Sequence, residues 1–377
     1  MTPWLALAIF PAIGTLAQRV LCRGESRRFP PPGILVDAGG LSLHFHVSGE
    51  GGPVVVLDSA LAGTSLSWSE VQPAVAAFTR VASYDRGGFG WSDPACEPRR
   101  ADLLLAELRR GLAAAALEPP YVLVGHSYGG FVAKLFASQH PEDVAGMVLV
   151  DVPHHRKWVK PSASEQRRIE RGARIARVAA LLAHFGVTRL LFRLAGRRGI
   201  ESLPDLLRKL SRSSRETIRS FWVRPWTLQA LSSLIEEAPR SAALLESSAR
   251  DLGDRPLVVL TASSPSPERI RDQEEVAGLS RCSRHVIAQK SGHWIPLDEP
   301  ALVVEAIREV VTEARRIRES DAFSNGPGAE ETRGAETTRS GKGASVPLSS
   351  TTRDPTERSS TARAACAGES PEPWRRE

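Results

Sequence analysis

Short apolar runs punctuate this chain in two patterns. Val54-Val55-Val56-Leu57, Tyr121-Val122-Leu123-Val124, Val144–Val150 and Leu257–Leu260 are continuous, as in strands covered on both faces of a sheet. Arg80–Tyr84 and Arg284–Ala288 complete the strand set. Leu41, Leu43, Phe45 and Val47 instead alternate with Ser42, His44, His46 and Ser48, the period of a strand with one polar face. Gly39-Gly40 supplies a turn, so Gly33–Gly52 is expected to form an antiparallel hairpin with His44 and His46 on its outer, solvent-facing side. Helical patterns separate the continuous runs at Ser65–Phe78, at Arg100–Leu117 with Leu103, Leu104, Leu108 and Leu112 on one side, and at Glu268–Leu279. Pro119-Pro120 stops the second of these. The alternation predicts an α/β domain built on a mostly parallel sheet with helices on both faces.

Residues 153–251 break the alternation. They carry helical patterns only, at Ser164–Phe185, Val187–Leu194, Pro204–Leu210, Ser214–Phe221 and Pro225–Glu237. Because the strand pattern resumes at Leu257, this stretch is expected to be a helical lid inserted between two halves of one core, 25–152 and 252–318. A helix from Glu299 to about Arg318 closes the domain. Beyond it, 319–377 is rich in Ser, Thr, Gly, Glu, Arg and Pro and poor in aromatic residues, so it is expected to remain disordered.

Residues 1–24 form an apolar leader. Thr2–Gln18 carries no charged side chain, and Arg19, Arg23, Arg27 and Arg28 follow. The segment is at the short limit for a bilayer span. It reads as a membrane anchor, a secretory signal or a buried apolar leader, with a cytoplasmic or secreted location as the alternatives to membrane association.

The chain has 377 residues, 42% of them hydrophobic, enough for one large core. The net charge is +6, but the basic residues are spread through the lid and tail without interleaved aromatics, so nucleic acid is not an expected partner. Cys22, Cys96, Cys282 and Cys366 are isolated and suggest neither a metal site nor a disulfide framework.

The chemistry concentrates at Gly125-His126-Ser127-Tyr128-Gly129, between an apolar strand and a helical run. This is the spacing of a nucleophile elbow, where Ser127 sits on a strained turn that lifts its hydroxyl from the sheet and points the next helix's free N–H groups at developing negative charge. Asp85-Arg86-Gly87-Gly88-Phe89-Gly90 and Ser291-Gly292-His293, ahead of Asp298-Glu299-Pro300, are the other distinctive stretches. With these motifs the chain resembles α/β-hydrolase-fold serine hydrolases with a helical lid, from about Gly33 to Arg318.

The resemblance implies Ser127 as nucleophile and His293 as general base. It implies an oxyanion hole from the backbone N–H of Tyr128 and a second donor at Ala60, or else Leu61, although Asp58-Ser59 stands where many relatives carry His-Gly. The acid is expected at Asp151. The loop after Leu257–Leu260, where many relatives hold it, reads Thr261-Ala262-Ser263-Ser264-Pro265 and has no carboxylate; Asp272 and Glu268 are the other candidates. His126 is read as a packing and hydrogen-bonding residue, and His154 and His155 as solvent-facing. The implied activity is hydrolysis of a small-molecule acyl substrate, a carboxylic ester before an amide or thioester, through an acyl-serine, with no metal or organic cofactor. In this fold haloalkane dehalogenation and epoxide hydrolysis use a carboxylate at the elbow, which Ser127 is not. The rival class is a non-catalytic, membrane-tethered hydrolase-like protein that binds a ligand or partner; a peroxidase-like or lyase reaction on the same triad is a lesser enzymatic alternative.

Overall fold

The computed structural model describes residues 3–95, 98–194, 205–248 and 251–324, the side chains of 3–10, 205 and 321–324 excepted. Eight strands form one sheet: β1 Ile34–Asp37, β2 Ser42–Ser48, β3 Val54–Asp58, β4 Val81–Asp85, β5 Tyr121–His126, β6 Val144–Val150, β7 Leu257–Thr261 and β8 Ser283–Ile287. Their order is β1-β2-β4-β3-β5-β6-β7-β8. Only β2 runs against its neighbours; β3 to β8 are parallel.

The continuous apolar runs become two cores because side chains alternate across a strand. Val54, Val56, Leu123, Leu149 and Val259 face one layer, against Leu104, Leu108, Phe136 and Leu234. Val55, Leu57, Val122, Val124, Val148, Val258 and Leu260 face the other, against Val75, Val303, Ile307 and Val310. Each strand therefore loses water on both faces, which is why its sequence shows no polar alternation.

The stretch after β6 is helical throughout its described part: Arg156–Val159, Ala163–His184, Val187–Leu194, Asp205–Lys209, Arg212–Trp222 and Pro225–Ser248. Ser162 begins the long second helix with a full capping box, its hydroxyl accepting from the Glu165 N–H. Helices Ala163–His184 and Pro225–Ser248 pack on one another, and the latter also reaches the helix that follows β5.

Three expectations need correction. His44 is not on an outer face: it is 0% exposed, its Nδ1 lying 3.0 Å from Asp85 Oδ2 and its ring 4.8 Å from that of Trp91, and β2 is not an edge strand, since it pairs with β4 as well as β1. His154 is buried rather than solvent-facing. The closing helix runs from Pro300 to Ser324, so 319–324 is helical; the expected disordered tail otherwise lies outside the described residues, as do Cys96 and Cys366. The leader forms a helix from Pro3 to Arg28, and no single described helix is long and apolar enough to cross a membrane.

Candidate active site

β5 delivers Ser127 at the carboxyl end of the sheet. Ser127 has φ +54°, a left-handed conformation that strains a residue bearing a Cβ by roughly 1–3 kcal/mol. Its N–H is held by Val150 O at 2.9 Å. The flanking glycines are steric necessities. A Cβ on Gly129 would lie 2.4 Å from Asp58 O, and one on Gly130 would lie 2.2 Å from Val152 Cγ2. The next helix, Gly129–Gln139, can therefore start directly against β3 and β6.

β6 delivers Asp151, also left-handed at φ +45° and tied by its N–H to Leu260 O at 2.7 Å. Its Oδ2 lies 2.6 Å from His293 Nδ1. Its Oδ1 accepts from Arg269 Nη2 at 2.8 Å and from the Ala262 N–H at 3.3 Å. Burial pushes this carboxyl's pKa up, but the His293 hydrogen bond and the Arg269 charge outweigh it and hold the group well below the usual carboxylate range. An ionised Asp151 accepts from Nδ1–H, so neutral His293 presents Nε2 as its free base.

The His293 loop is fixed from the following helix starts. Asp298 Oδ2 accepts from the Gly292 N–H at 3.2 Å, and Glu299 Oε1 accepts from the Lys290 N–H at 2.7 Å. His126, beside Ser127, donates Nε2–H to His293 O at 2.7 Å, and the two rings are 4.9 Å apart. Burial drives the His126 pKa down to about 3, so it acts as a neutral strut between the elbow and the histidine loop. Among the described residues His293 bonds Asp151 through Nδ1, and no hydrogen bond joins it to Ser127 Oγ. Asp272 and Glu268, the other candidate acids, sit at 2.9 and 3.2 Å from Lys157 Nζ instead.

The third part is the loop after β3. Arg86 is buried and grips it at three points: Asp58 Oδ1 at 2.6 Å, Ala60 O at 3.1 Å and Ser59 O. With those two carbonyls turned to the guanidinium, the N–H groups of Ala60 and Leu61 donate to no partner among the described residues, and neither does that of Tyr128. Arg86 also lies 5.4 Å over the Tyr128 ring.

Residues 53–300 match the family model described as the α/β hydrolase fold. The chain belongs to the α/β-hydrolase fold family. An AB hydrolase superfamily protein of Gibberella zeae is 25% identical over 301 residues, 69% of this chain and 86% of that protein. The 2-hydroxymuconate semialdehyde hydrolase of Pseudomonas sp. (strain CF600) is 33% identical over 124 residues, 32% of this chain and 44% of that enzyme. Several other curated relatives are likewise matched over less than half of their length. Among solved structures, the ligand-free epoxide hydrolase CorEH superposes with a TM-score of 0.56 at 18% identity, covering 74% of this chain and 97% of that one. That likeness concerns the fold.

On this α/β-hydrolase frame, the site gathers residues that sequence reasoning did not reach. Arg269 comes from the helix Pro267–Ala277 after β7, 118 positions from the aspartate it holds. Arg86 lies in the stretch Asp85-Arg86-Gly87-Gly88-Phe89-Gly90, yet its carbonyl contacts leave no mark in a spacing. Over the loop after β3, Ala60 packs with Leu206, Leu207, Leu210 and Ile218 of the helical stretch and with Trp294. A separate cavity of about 180 Å³ is lined by Lys134, Met147, His154, Leu245 and Val276, and contains none of the residues named for chemistry. Lys134 is only 9% exposed there, its Nζ has no hydrogen-bond partner among the described residues, and burial lowers its pKa to about 8. His155 stacks on His154 and is pulled down to about 4 by burial.

Proposed function

We propose that this α/β hydrolase is a serine hydrolase acting on carboxylic esters of apolar acids. The observation that carries the reading is the Asp151–His293 contact of 2.6 Å, strapped through His126 to the strained turn that bears Ser127. His293 Nε2 takes the proton as Ser127 Oγ attacks the ester carbonyl carbon. The carbonyl oxygen becomes an oxyanion facing the Tyr128 and Ala60 N–H groups, which are held ready by the elbow and by Arg86. Collapse breaks the bond to the alcohol, which leaves with the proton from His293. A water then repeats the cycle on acyl-Ser127, its proton passing to His293 and back to Ser127 as the carboxylic acid departs. Asp151 stays ionised and orients the imidazole throughout.

The acyl preference follows from the covering of Ala60. The leucines at 206, 207 and 210 and Ile218 favour an apolar acyl chain beside the oxyanion donors. A hydroxyl at the elbow suits acyl transfer, whereas ring opening of epoxides in this fold calls for a carboxylate there.

A panel of p-nitrophenyl esters of graded chain length tests this directly, with Ser127→Ala as control. The expected outcome is turnover that rises from acetate to a longer acyl chain and falls at least about 10⁴-fold in the variant. Equal background rates for wild type and Ser127→Ala across the panel would return the protein to the non-catalytic binding class.

A further inference from the structure

The N-terminal helix and the helical stretch after β6 share a surface that the ester reading does not use. Among the described residues, eleven of the twelve exposed large apolar side chains lie there: Ile13, Leu16, Val20 and Leu21 on the first helix, and Ile175 to Leu194 on helices Ala163–His184 and Val187–Leu194 with the turn between them. Leu16 is 64% exposed and Leu194 is 74% exposed. Scattered apolar residues need no explanation on a surface, but concentration on one set of neighbouring helices does.

The helices are joined by polar contacts on their inner sides. Gln18 donates to Val223 O at 2.8 Å and accepts from Arg189 Nε at 2.9 Å, and Arg189 Nη2 meets Glu25 Oε2 at 2.8 Å. Gly14 lets the N-terminal helix approach Phe185 so closely that a Cβ would sit 2.4 Å from its carbonyl oxygen. The inner face of that helix is therefore Gly14, Gln18, Cys22 and Glu25, at helical spacing, and its outer face is Ile13, Leu16, Val20, Arg23 and Arg27. A helix whose polar side is committed to buried bonds within the protein cannot be withdrawn to span a bilayer without breaking them. It can lie flat with its outer face in the headgroup layer. The second surface has the same build. Ile175, Val178 and Leu181 recur along the outside of their helix, and Leu190, Leu191 and Leu194 extend it past a bend of 102°.

Charge selects the occupant. Residues 163–194 carry seven arginines against two glutamates, and Arg168, Arg171, Arg174 and Arg193 are exposed, as are Arg19, Arg23 and Arg27 on the first helix. Apolar stripes flanked by arginine match a membrane surface bearing anionic lipids, which attracts each arginine held near it. We propose that the N-terminal helix and helices Ala163–His184 and Val187–Leu194 together form one monotopic docking face for an anionic lipid surface. The helical stretch, and not the leader alone, holds the protein there. The ester reading is not needed for this, so either can fail without the other.

The test is flotation of the full chain with phosphatidylcholine vesicles, with and without phosphatidylglycerol, for wild type and the triple variant Ile175→Glu/Leu181→Glu/Leu191→Glu. All three positions are exposed, and an unchanged thermal melt establishes that the variant is folded. Wild type is expected to float with the anionic vesicles, less with phosphatidylcholine alone, and less as salt is raised. The variant, with its N-terminal helix intact, should lose partitioning by at least about tenfold. Equal flotation of both proteins would overturn the proposal, as would failure of wild type to float with anionic vesicles. A dimer that the variant abolishes, without vesicle binding, would also overturn it and assign the face to a second copy.

Discussion

Two arginines hold the two sides of the site, in very different surroundings. Arg86, which grips the loop after β3, is buried and bonds the Asp58 carboxylate and two backbone carbonyls of that loop. Arg269, beside Asp151, is partly exposed, and among the described residues its side chain makes one bond, to the oxygen of Asp151 that His293 does not use. Arg86 fixes main-chain geometry where no other group could replace it, whereas Arg269 shares its aspartate with His293 and with the Ala262 N–H. Position in the fold thus decides cost: a buried clamp is structural and functional at once, and a rim clamp tunes a group that is already held.

The comparison can be broken by substitution. Asp151→Asn should have the largest effect, about 10⁴-fold in kcat, because the amide no longer selects the imidazole tautomer or balances its charge; steady-state ester hydrolysis measures it. Arg86→Met should follow, costing on the order of 10²–10³ in kcat through displacement of one proposed oxyanion donor, and about 3–5 kcal/mol of stability because Asp58 stays buried without its compensating charge. The double variant Asp58→Asn/Arg86→Met sharpens the point: denaturant titration should show stability largely regained while kcat remains low. Arg269→Met should reduce kcat only about tenfold, the remaining contacts still orienting Asp151. If Arg269→Met proved as damaging as Arg86→Met, the distinction between buried and rim clamps would be wrong.

Lys134 gives a counter-example of a buried cation with no clamp to make. Its pKa falls from 10.5 to about 8 on folding, so between those values the unfolded chain binds more protons and stability must rise with pH. Below about pH 8 the full cost applies, on the order of 3 kcal/mol at most. Lys134→Met should therefore be more stable than wild type at pH 7 by about 1–3 kcal/mol, with the gap closing towards pH 10. Chemical denaturation of both proteins across that range checks the sign.

Much of this was legible in the residues and some was not, for physical reasons. Continuous apolar strands and helical periods are local, so β3, β5, β6 and β7 and the helix Val187–Leu194 follow from pattern alone. The Ser127 turn is legible because its glycines answer a steric demand a few residues away. Asp151 could be reached only by its place at a strand end, against Asp272 and Glu268, because the contact with His293 spans 142 positions. His44 was misplaced because a polar residue in an alternating strand looks solvent-facing until the residues that cover it are known, here Trp91 and Asp85. Arg269 and Arg86 act through long-range contacts with an aspartate and with carbonyls, which no spacing encodes.

The central claim is that Ser127 is an activated nucleophile, and labelling with a fluorophosphonate reads it most directly. Intact-mass analysis of the folded protein should show one adduct per chain, mapped to Ser127, formed far more slowly after Asp151→Asn and absent in Ser127→Ala. No adduct on folded wild type, or an adduct on another serine that survives Ser127→Ala, would contradict the account.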